Sequence, residues 1–466
     1  MRLALRRLSS PDRRLLLGAI LLVGVALRIE TLGAHLSNDE GYSYLVGSAP
    51  SLGSFLHRLA AYENTPPLFY LLLRALPLGH AAWLRVPAAL PGALIPLVLY
   101  LALRRALGVR AALLAAAITA VAPYHVSYSD YARGFMLEGL GCMLALWAML
   151  RLIDGATGKW WLLYVAGAVL ALYSEYFAAI FLLALTFAGV AYTPGGRLRT
   201  GALGLLPLAS LLPWLGQIER GQDALHHTKM FASFPSPSLG TLRELSVRLV
   251  LGEHGAGSST ALRWLELLGL VIVLTAVVAV LGRRIAGEQS SPASRTVLVI
   301  ATTGALVLVG HALVALLGHE ILNQRYLTVL IPIGAALVAA AIGRSPVRWG
   351  WTGALTALAL LAVAVFAQRY QREYEPDLAP VRVAVTAQHP RTVLTNSAVV
   401  IYYLRGLHPV LDRPFGLGPG LERSCAAPCL VIDDSRVPGG VRPGPGPSRA
   451  VGFFGIRTAS DARPSP

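Results

Sequence analysis

A polytopic bundle of membrane-spanning α-helices is the fold class this sequence predicts, and three observations carry the prediction. Of 466 residues, 55% are hydrophobic and only 14% charged, against about 25% charged in ordinary soluble domains. Mean hydropathy is +0.59. Long runs of Leu, Ala, Val and Gly are punctuated by arginine clusters such as Arg104-Arg105, Arg197-Arg199 and Arg283-Arg284. This pattern excludes a soluble globular enzyme, a disordered chain, a disulfide scaffold and a coiled coil. The formal net charge of +16 does not mark a nucleic-acid binder, because the cations sit between apolar segments, where an inner-membrane protein keeps its positive loops. No nucleic-acid partner is expected.

The first element is the apolar stretch Leu15 to Ile29, preceded by Arg2, Arg6, Arg7, Arg13 and Arg14. No small-x-small cleavage site follows it, so it reads as a retained helix entering from the cytoplasm. Spans are then expected at roughly 15–34, 84–103, 111–123, 134–150, 160–173, 177–193, 201–215, 264–282, 296–317, 326–342 and 350–367. The short basic loops 104–110, 151–159, 194–200, 283–295 and 343–349 then share the cytoplasmic side. About 11 spans place the carboxyl-terminal residues outside. Pro66 to Leu78 is apolar but too short to span, and counting it as a span would invert the arginine loops; it reads as an interfacial or re-entrant helix.

The expected organisation is a transmembrane domain over 1–367, with outer loops near 35–83 and 216–263, and a small extracytoplasmic α/β-like region over 368–466. In that tail, Arg382-Val-Ala-Val-Thr, Thr392-Val-Leu-Thr, Ala398 to Leu404, Cys429-Leu-Val-Ile-Asp and Ala450-Val-Gly-Phe-Phe read as β- or α/β-type segments. Pro/Gly-rich linkers separate them, and the end frays, partly disordered, after about Arg457. Cys142 lies in a span as a small packing residue. Cys425 and Cys429 lie in the outer tail, where a disulfide is the main reading and a metal site the weaker one.

Residues suited to chemistry gather on the outer side. Asp39 and Glu40 follow the first span directly, where carboxylates are costly unless they work or pair. They suit a proton acceptor or an oxygen ligand for a divalent cation, and an acidic loop boundary competes with both. Glu63 precedes Pro66-Pro67, a pair that fixes the backbone and opens a short helix. Asp130 and Arg133 are spaced to pair on one face or to serve a site. Glu175 occupies another acidic outer turn, and His226-His227 reads as solvated surface. Arg325 stands on a side depleted of positive charge; its fork suits a phosphate, and pairing with Glu320 competes.

The series of motifs resembles the GT-C membrane glycosyltransferases, specifically the bacterial family-39-like enzymes related to protein O-mannosyltransferases and lipid A aminoarabinose transferases. The matching residues are Asp39-Glu40, Asn64-Thr65-Pro66-Pro67-Leu68-Phe69-Tyr70, and Leu84-Arg85-Val86-Pro87-Ala88-Ala89 before Gly92. Tyr128 to Arg133, Leu172 to Ala178, and Arg325-Tyr326 before Pro332 follow in consistent order. The resemblance covers about residues 10–345. It implies that Asp39 is the catalytic base supported by Glu40, that Asp130 is a second acidic residue near the active site, and that Arg325, with Arg133, holds the donor phosphate. Glu63 stands one position further from the Pro-Pro pair than the metal-binding glutamate of relatives. Glu175 replaces a histidine common among them. The resemblance implies a metal-binding or positioning role for Glu63 and Glu175.

The resemblance therefore implies an inverting transfer of a sugar from a polyprenyl-phosphate donor to an acceptor hydroxyl on the extracytoplasmic face. The acceptor is a lipid, a polysaccharide or a protein, and a divalent cation is the one cofactor it admits. The expected setting is a bacterial plasma membrane, with membrane lipids as partners. A secondary transporter or lipid flippase, or a non-catalytic envelope assembly protein, are the rival readings; paired halves and mid-membrane charges typical of transporters are not evident.

Overall fold

The computed structural model describes residues 10–193, 195–219, 240, 291–316, 324–343, 378–388, 390, 392–395, 397–407, 409–411, 429–434, 449–451 and 454–458. It is mostly helical and divides into two compact units. The first comprises residues 1–32, 85–213 and 234–371; the second comprises 33–84, 214–233 and 372–466.

Helices of the first unit are α1 (Ser10–Ile29), α5 (Ala81–Leu103, whose first turn lies in the other unit), α6 (Val109–Val121), α7 (Pro123–Ser129) and α8 (Phe135–Ile153). They continue with α9 (Lys159–Leu172), α10 (Ala178–Tyr192), α11 (Arg197–Leu205), α12 (Pro292–Leu316) and α13 (Leu330–Gly343). Among the described residues, four helical runs are long and apolar enough to cross a membrane: Ala81–Leu103, Phe135–Ile153, Arg197–Glu219 and Pro292–Leu316. A fifth arises if α6 and α7, bent by 59° at Pro123, form one broken span. The expected spans at 264–282 and 350–367 lie outside the described residues.

Three prolines sit inside α5, at 87, 91 and 96. Each removes a backbone donor, which a membrane helix tolerates when neighbours satisfy the carbonyls it leaves. Helices α8 and α9 pack through small residues: a Cβ on Gly141 would lie 2.5 Å from the Gly167 carbonyl oxygen, and one on Gly167 would lie 2.7 Å from that of Gly141. Gly141/Ala145 and Gly167/Ala171 are thus small-xxx-small pairs that let two backbones touch.

The second unit combines the first loop with the tail. It contains α2 (Asn38–Gly47), α3 (Leu52–Tyr62), α4 (Leu68–Arg74), α14 (Ala379–Thr386) and α15 (Ala398–Tyr403). The apolar stretch after Pro66-Pro67 forms only seven helical residues, α4, with both prolines buried ahead of it. A five-stranded sheet is built from β1 (Thr392–Thr395), β2 (Pro409–Leu411), β3 (Cys429–Asp434), β4 (Arg449–Val451) and β5 (Phe454–Thr458), ordered β2-β1-β3-β5-β4. Strand β1 runs parallel to β2 and β3, and β5 antiparallel to β3 and β4. Register places Val393 beside Leu430, Thr395 beside Ile432, and Ile432 beside Ile456, all buried on one face by the period-two rule. Arg382 to Thr386 and Ala398 to Leu404 differ from a strand reading: the first lies in α14 and the second in α15. Packing decides this. Ala398 and Ile401 bury one helical turn apart against Tyr42 and Leu45 of α2. Cys425 and His226-His227 lie outside the described residues, and Cys142 is a buried free thiol.

Candidate active site

In the second unit, the segment Ser37-Asn38-Asp39-Glu40 opens α2 with a complete capping box. The Ser37 hydroxyl accepts from the Glu40 amide at 3.3 Å, and the Glu40 carboxylate accepts from the Ser37 amide at 2.9 Å. The sequence S-x-x-E dictates this arrangement, since each side chain satisfies a donor the helix start leaves open. Glu40 is buried, with 1% of its surface exposed, whereas Asp39 is only half-buried. The two adjacent carboxylates therefore differ in setting: Glu40 is buried in the helix cap, and Asp39, in the first turn, stays half-exposed.

The same helix start is tied to the tail. Asn38 Oδ1 accepts from the Ser397 hydroxyl at 3.0 Å and the Val399 amide at 3.3 Å. The Leu36 amide donates to the Tyr403 hydroxyl at 3.0 Å. Gly41 faces the backbone of Ala398 and Val399 so closely that no Cβ fits. Asp39 is thus placed by residues more than 350 positions away in the chain.

Glu63 caps the carboxyl end of α3 and is buried; the Gln217 side chain donates to the carbonyls of Leu59 and Glu63 at 3.3 and 3.1 Å. Thr65 and Tyr70 share a hydroxyl hydrogen bond of 2.8 Å across the Pro66-Pro67 turn. Burial pushes the Tyr62 phenol up, against the opposing charge of Arg58.

In the first unit, three segments singled out from sequence converge. Phe135 stacks on Tyr131 with planes 9° apart, meets Tyr128 edge-on at 5.4 Å, and meets Tyr326 at 6.0 Å. Phe177 lies 4.3 Å from Tyr326, centroid to centroid, and 6.2 Å from His311. This aromatic cluster joins the turn of Asp130 and Arg133, the turn of Glu175, and the Arg325-Tyr326 segment. Gly134 allows the close approach, because a Cβ there would meet the Ser174 carbonyl. Burial raises the Tyr176 phenol, and the neighbouring Glu175 adds to the shift.

Asp130 ends α7, is buried, and accepts a hydrogen bond from Thr31. Beneath it lies an array of which the sequence motifs had named only Arg85. Arg28, fully buried, donates to the carbonyls of Gly24 (2.6 Å) and Ala120 (3.2 Å) and lies 2.7 Å from His125 Nδ1. Arg85 donates to the carbonyls of Thr31 and Leu32 at 3.0 and 3.2 Å. Glu138, one turn into α8, is buried as well. The signal was present: a lone arginine inside an apolar stretch is expensive and points inward to partners. Asp39, Glu40 and Glu63 belong to the second unit; Asp130, Arg133, Glu175 and Arg325 belong to the first.

A divalent cation finds no ready cage here. Among the described residues, no three His, Cys, Asp or Glu side chains gather as ligands, and the Glu40 carboxylate is already committed to its cap.

Comparison with known proteins gives the architecture its likenesses. Residues 64–214, less than half the chain, match the model of the dolichyl-phosphate-mannose-protein mannosyltransferase family. Among solved structures, ArnT from Cupriavidus metallidurans bound to undecaprenyl phosphate aligns at 17% identity and TM-score 0.50, over 76% of this chain and 64% of that one. At that identity the likeness is one of fold. Archaeal oligosaccharyltransferase AglB from Archaeoglobus fulgidus, in complex with an inhibitory peptide and a dolichol-phosphate, aligns at 13% identity and TM-score 0.51, over 91% and 69% of the two chains. The apo form of the Archaeoglobus fulgidus oligosaccharyltransferase aligns at 14% identity and TM-score 0.53, over 92% and 70%. The chain thus spans less than two thirds of the length of ArnT. Comparison with curated protein sequences finds no match.

Proposed function

We propose that this GT-C chain is an inverting glycosyltransferase of a bacterial plasma membrane, using a polyprenyl-phosphate sugar and an acceptor hydroxyl on the extracytoplasmic face. In that orientation its amino-terminal residues are cytoplasmic, about 11 spans carry the catalytic domain, and the tail from 368 is extracytoplasmic. The observation that carries the reading is the half-buried Asp39 on a helix start that Glu40 and the tail hold rigid. The lipid phosphates bound by ArnT and AglB support the donor class.

In the reaction, the acceptor oxygen attacks the anomeric carbon and its proton passes to Asp39. The carbon–oxygen bond to the carrier breaks, and the electron pair leaves with the polyprenyl phosphate. Attack opposite the leaving group inverts the sugar carbon. Arg325, with Arg133, meets the growing charge on the phosphate, where a preorganised cation acts most strongly. Asp130 and Glu175 shape the turns around that phosphate, Glu63 positions the Pro-Pro turn, and no step is routed through a cation. The acceptor is a lipid, a polysaccharide or a protein.

The test is transfer of radiolabel from a panel of polyprenyl-phosphate sugars to a membrane extract by the purified protein in lipid. Asp39→Asn should lower turnover about 100- to 10,000-fold, the scale of general-base catalysis. Full activity in a correctly folded Asp39→Asn protein would remove Asp39 from its role. Absence of donor binding or turnover by the native chain would favour a transporter or an assembly protein.

A further inference from the structure

At the far end of α2 from Asp39, the surface of the second unit holds an open depression of about 460 Å³ whose lining includes Tyr44, Ser48, Arg74, Leu78, Gly79 and Arg405. Its volume suits a small ligand. Two of its lining residues are arginine and none is acidic. Among the described residues, each guanidinium is held by backbone carbonyls and not by a carboxylate. Arg74 Nη1 donates to Ala49 at 2.6 Å and Ser51 at 3.4 Å, while its plane lies over Phe55. Arg405 donates from Nη1 to Tyr402 at 2.8 Å and from Nη2 to Gly79 at 2.9 Å, and sits 4.6 Å from the Tyr402 ring. Nε and Nη2 of Arg74, and Nε of Arg405, have no protein acceptor among the described residues. Two guanidinium forks held by carbonyls, with donors to spare and no counter-charge among the described residues, suit an oxyanion, because planar N–H pairs match phosphate and carboxylate oxygens.

The geometry points to an oxyanion-binding subsite at Arg74 and Arg405 that receives a phosphate or carboxylate group of the acceptor. Its assignment to the acceptor rests on the glycosyl-transfer reading. The five to eight residues from Asp39 to Tyr44 and Gly47 correspond to about 8–12 Å along the helix axis. An acceptor would then carry its anionic group about that far from the reacting hydroxyl, as a headgroup or an acidic sugar does.

Phenylglyoxal labelling, read arginine by arginine by peptide mass spectrometry, tests the site on the whole protein in phosphatidylcholine nanodiscs. Inorganic phosphate should slow labelling of Arg74 and Arg405 together at least fivefold relative to chloride at equal ionic strength, leaving exposed Arg104 unchanged. Arg74→Gln, which keeps a donor for the Ala49 carbonyl, should abolish the protection of Arg405, and Arg74→Lys should restore part of it. Guanidiniums that never react, no protection by phosphate, or protection of Arg405 that survives Arg74→Gln would each overturn the site. Adding phosphatidylglycerol without phosphate separates the sources: protection assigns a lipid headgroup, and protection by phosphate alone assigns a soluble group. Labelling needs no turnover, so protection without transfer would sink the enzyme reading and leave the pocket, and transfer without protection would do the reverse.

Discussion

Replacing Gly41 with alanine is the most direct probe of how Asp39 is placed. The added Cβ would lie 2.6 Å from the Ala398 carbonyl oxygen and closer still to neighbouring backbone atoms. Ordinary contact begins at roughly 3.5 Å, so α2 and α15 must separate by on the order of 1 Å. Backbone cannot rotate away as a flexible side chain can. Overpacking of this kind costs about 1–3 kcal/mol. The separation also stretches the Asn38 bonds to Ser397 and Val399, each with a net worth of about 0.5–1.5 kcal/mol. A shift of about 1 Å in a reacting group can lower turnover about 100-fold. Gly41→Ala should therefore lose turnover far more than donor affinity, measured by transfer kinetics and by donor binding in the same nanodiscs. Wild-type turnover and thermal stability in Gly41→Ala would refute the claim that the tail sets the position of Asp39.

Other outcomes follow from the same geometry. Glu40→Gln keeps an acceptor for the Ser37 amide and should retain most activity, whereas Glu40→Ala should lose about 1 kcal/mol of stability; a loss in Glu40→Gln as deep as in Asp39→Asn would make Glu40 a catalytic residue. Thr31→Val removes the hydroxyl donated to Asp130 and should destabilise the first unit by about 1–3 kcal/mol, seen as a lower midpoint in detergent-resolved thermal unfolding. Gly141→Val should separate α8 from α9 and sharply reduce folded yield, while the same change at exposed Gly155 is limited to its positive φ of 88°. Arg325→Ala should weaken donor binding; unchanged donor affinity would remove it from the phosphate.

Much of this was legible from residue order, and the gaps have identifiable causes. Apolar runs and arginine loops gave the helical membrane class because hydropathy acts locally, one span at a time. The S-x-x-E signature was also in plain view, but residue order alone does not show that Glu40 is buried in its cap while the adjacent Asp39 stays half-exposed. Arg28 was hidden by averaging, since one charge barely lowers the hydropathy of Leu15 to Ile29. Its partners His125 and the Ala120 carbonyl lie more than 90 residues away. Short tail segments were ambiguous for a different reason. Val-rich runs of five or six residues fit a strand or a helix equally, and Ala398 to Tyr403 becomes helical through its contact with α2. No local rule reveals that Asn38 and Ser397 belong together.

That bond also sets a timetable. Ribosomes add about 5–20 residues per second, and 359 residues separate Ser397 from Asn38, so the partner of α2 follows it by roughly 20–70 s at that rate. Throughout that interval the nascent segment has its capping box but nothing to seat Gly41. A half-made chain therefore carries the acidic residue without the means to aim it. On the proposed reading, reaction at Asp39 waits until residue 397 has been synthesised and folded back onto the first loop.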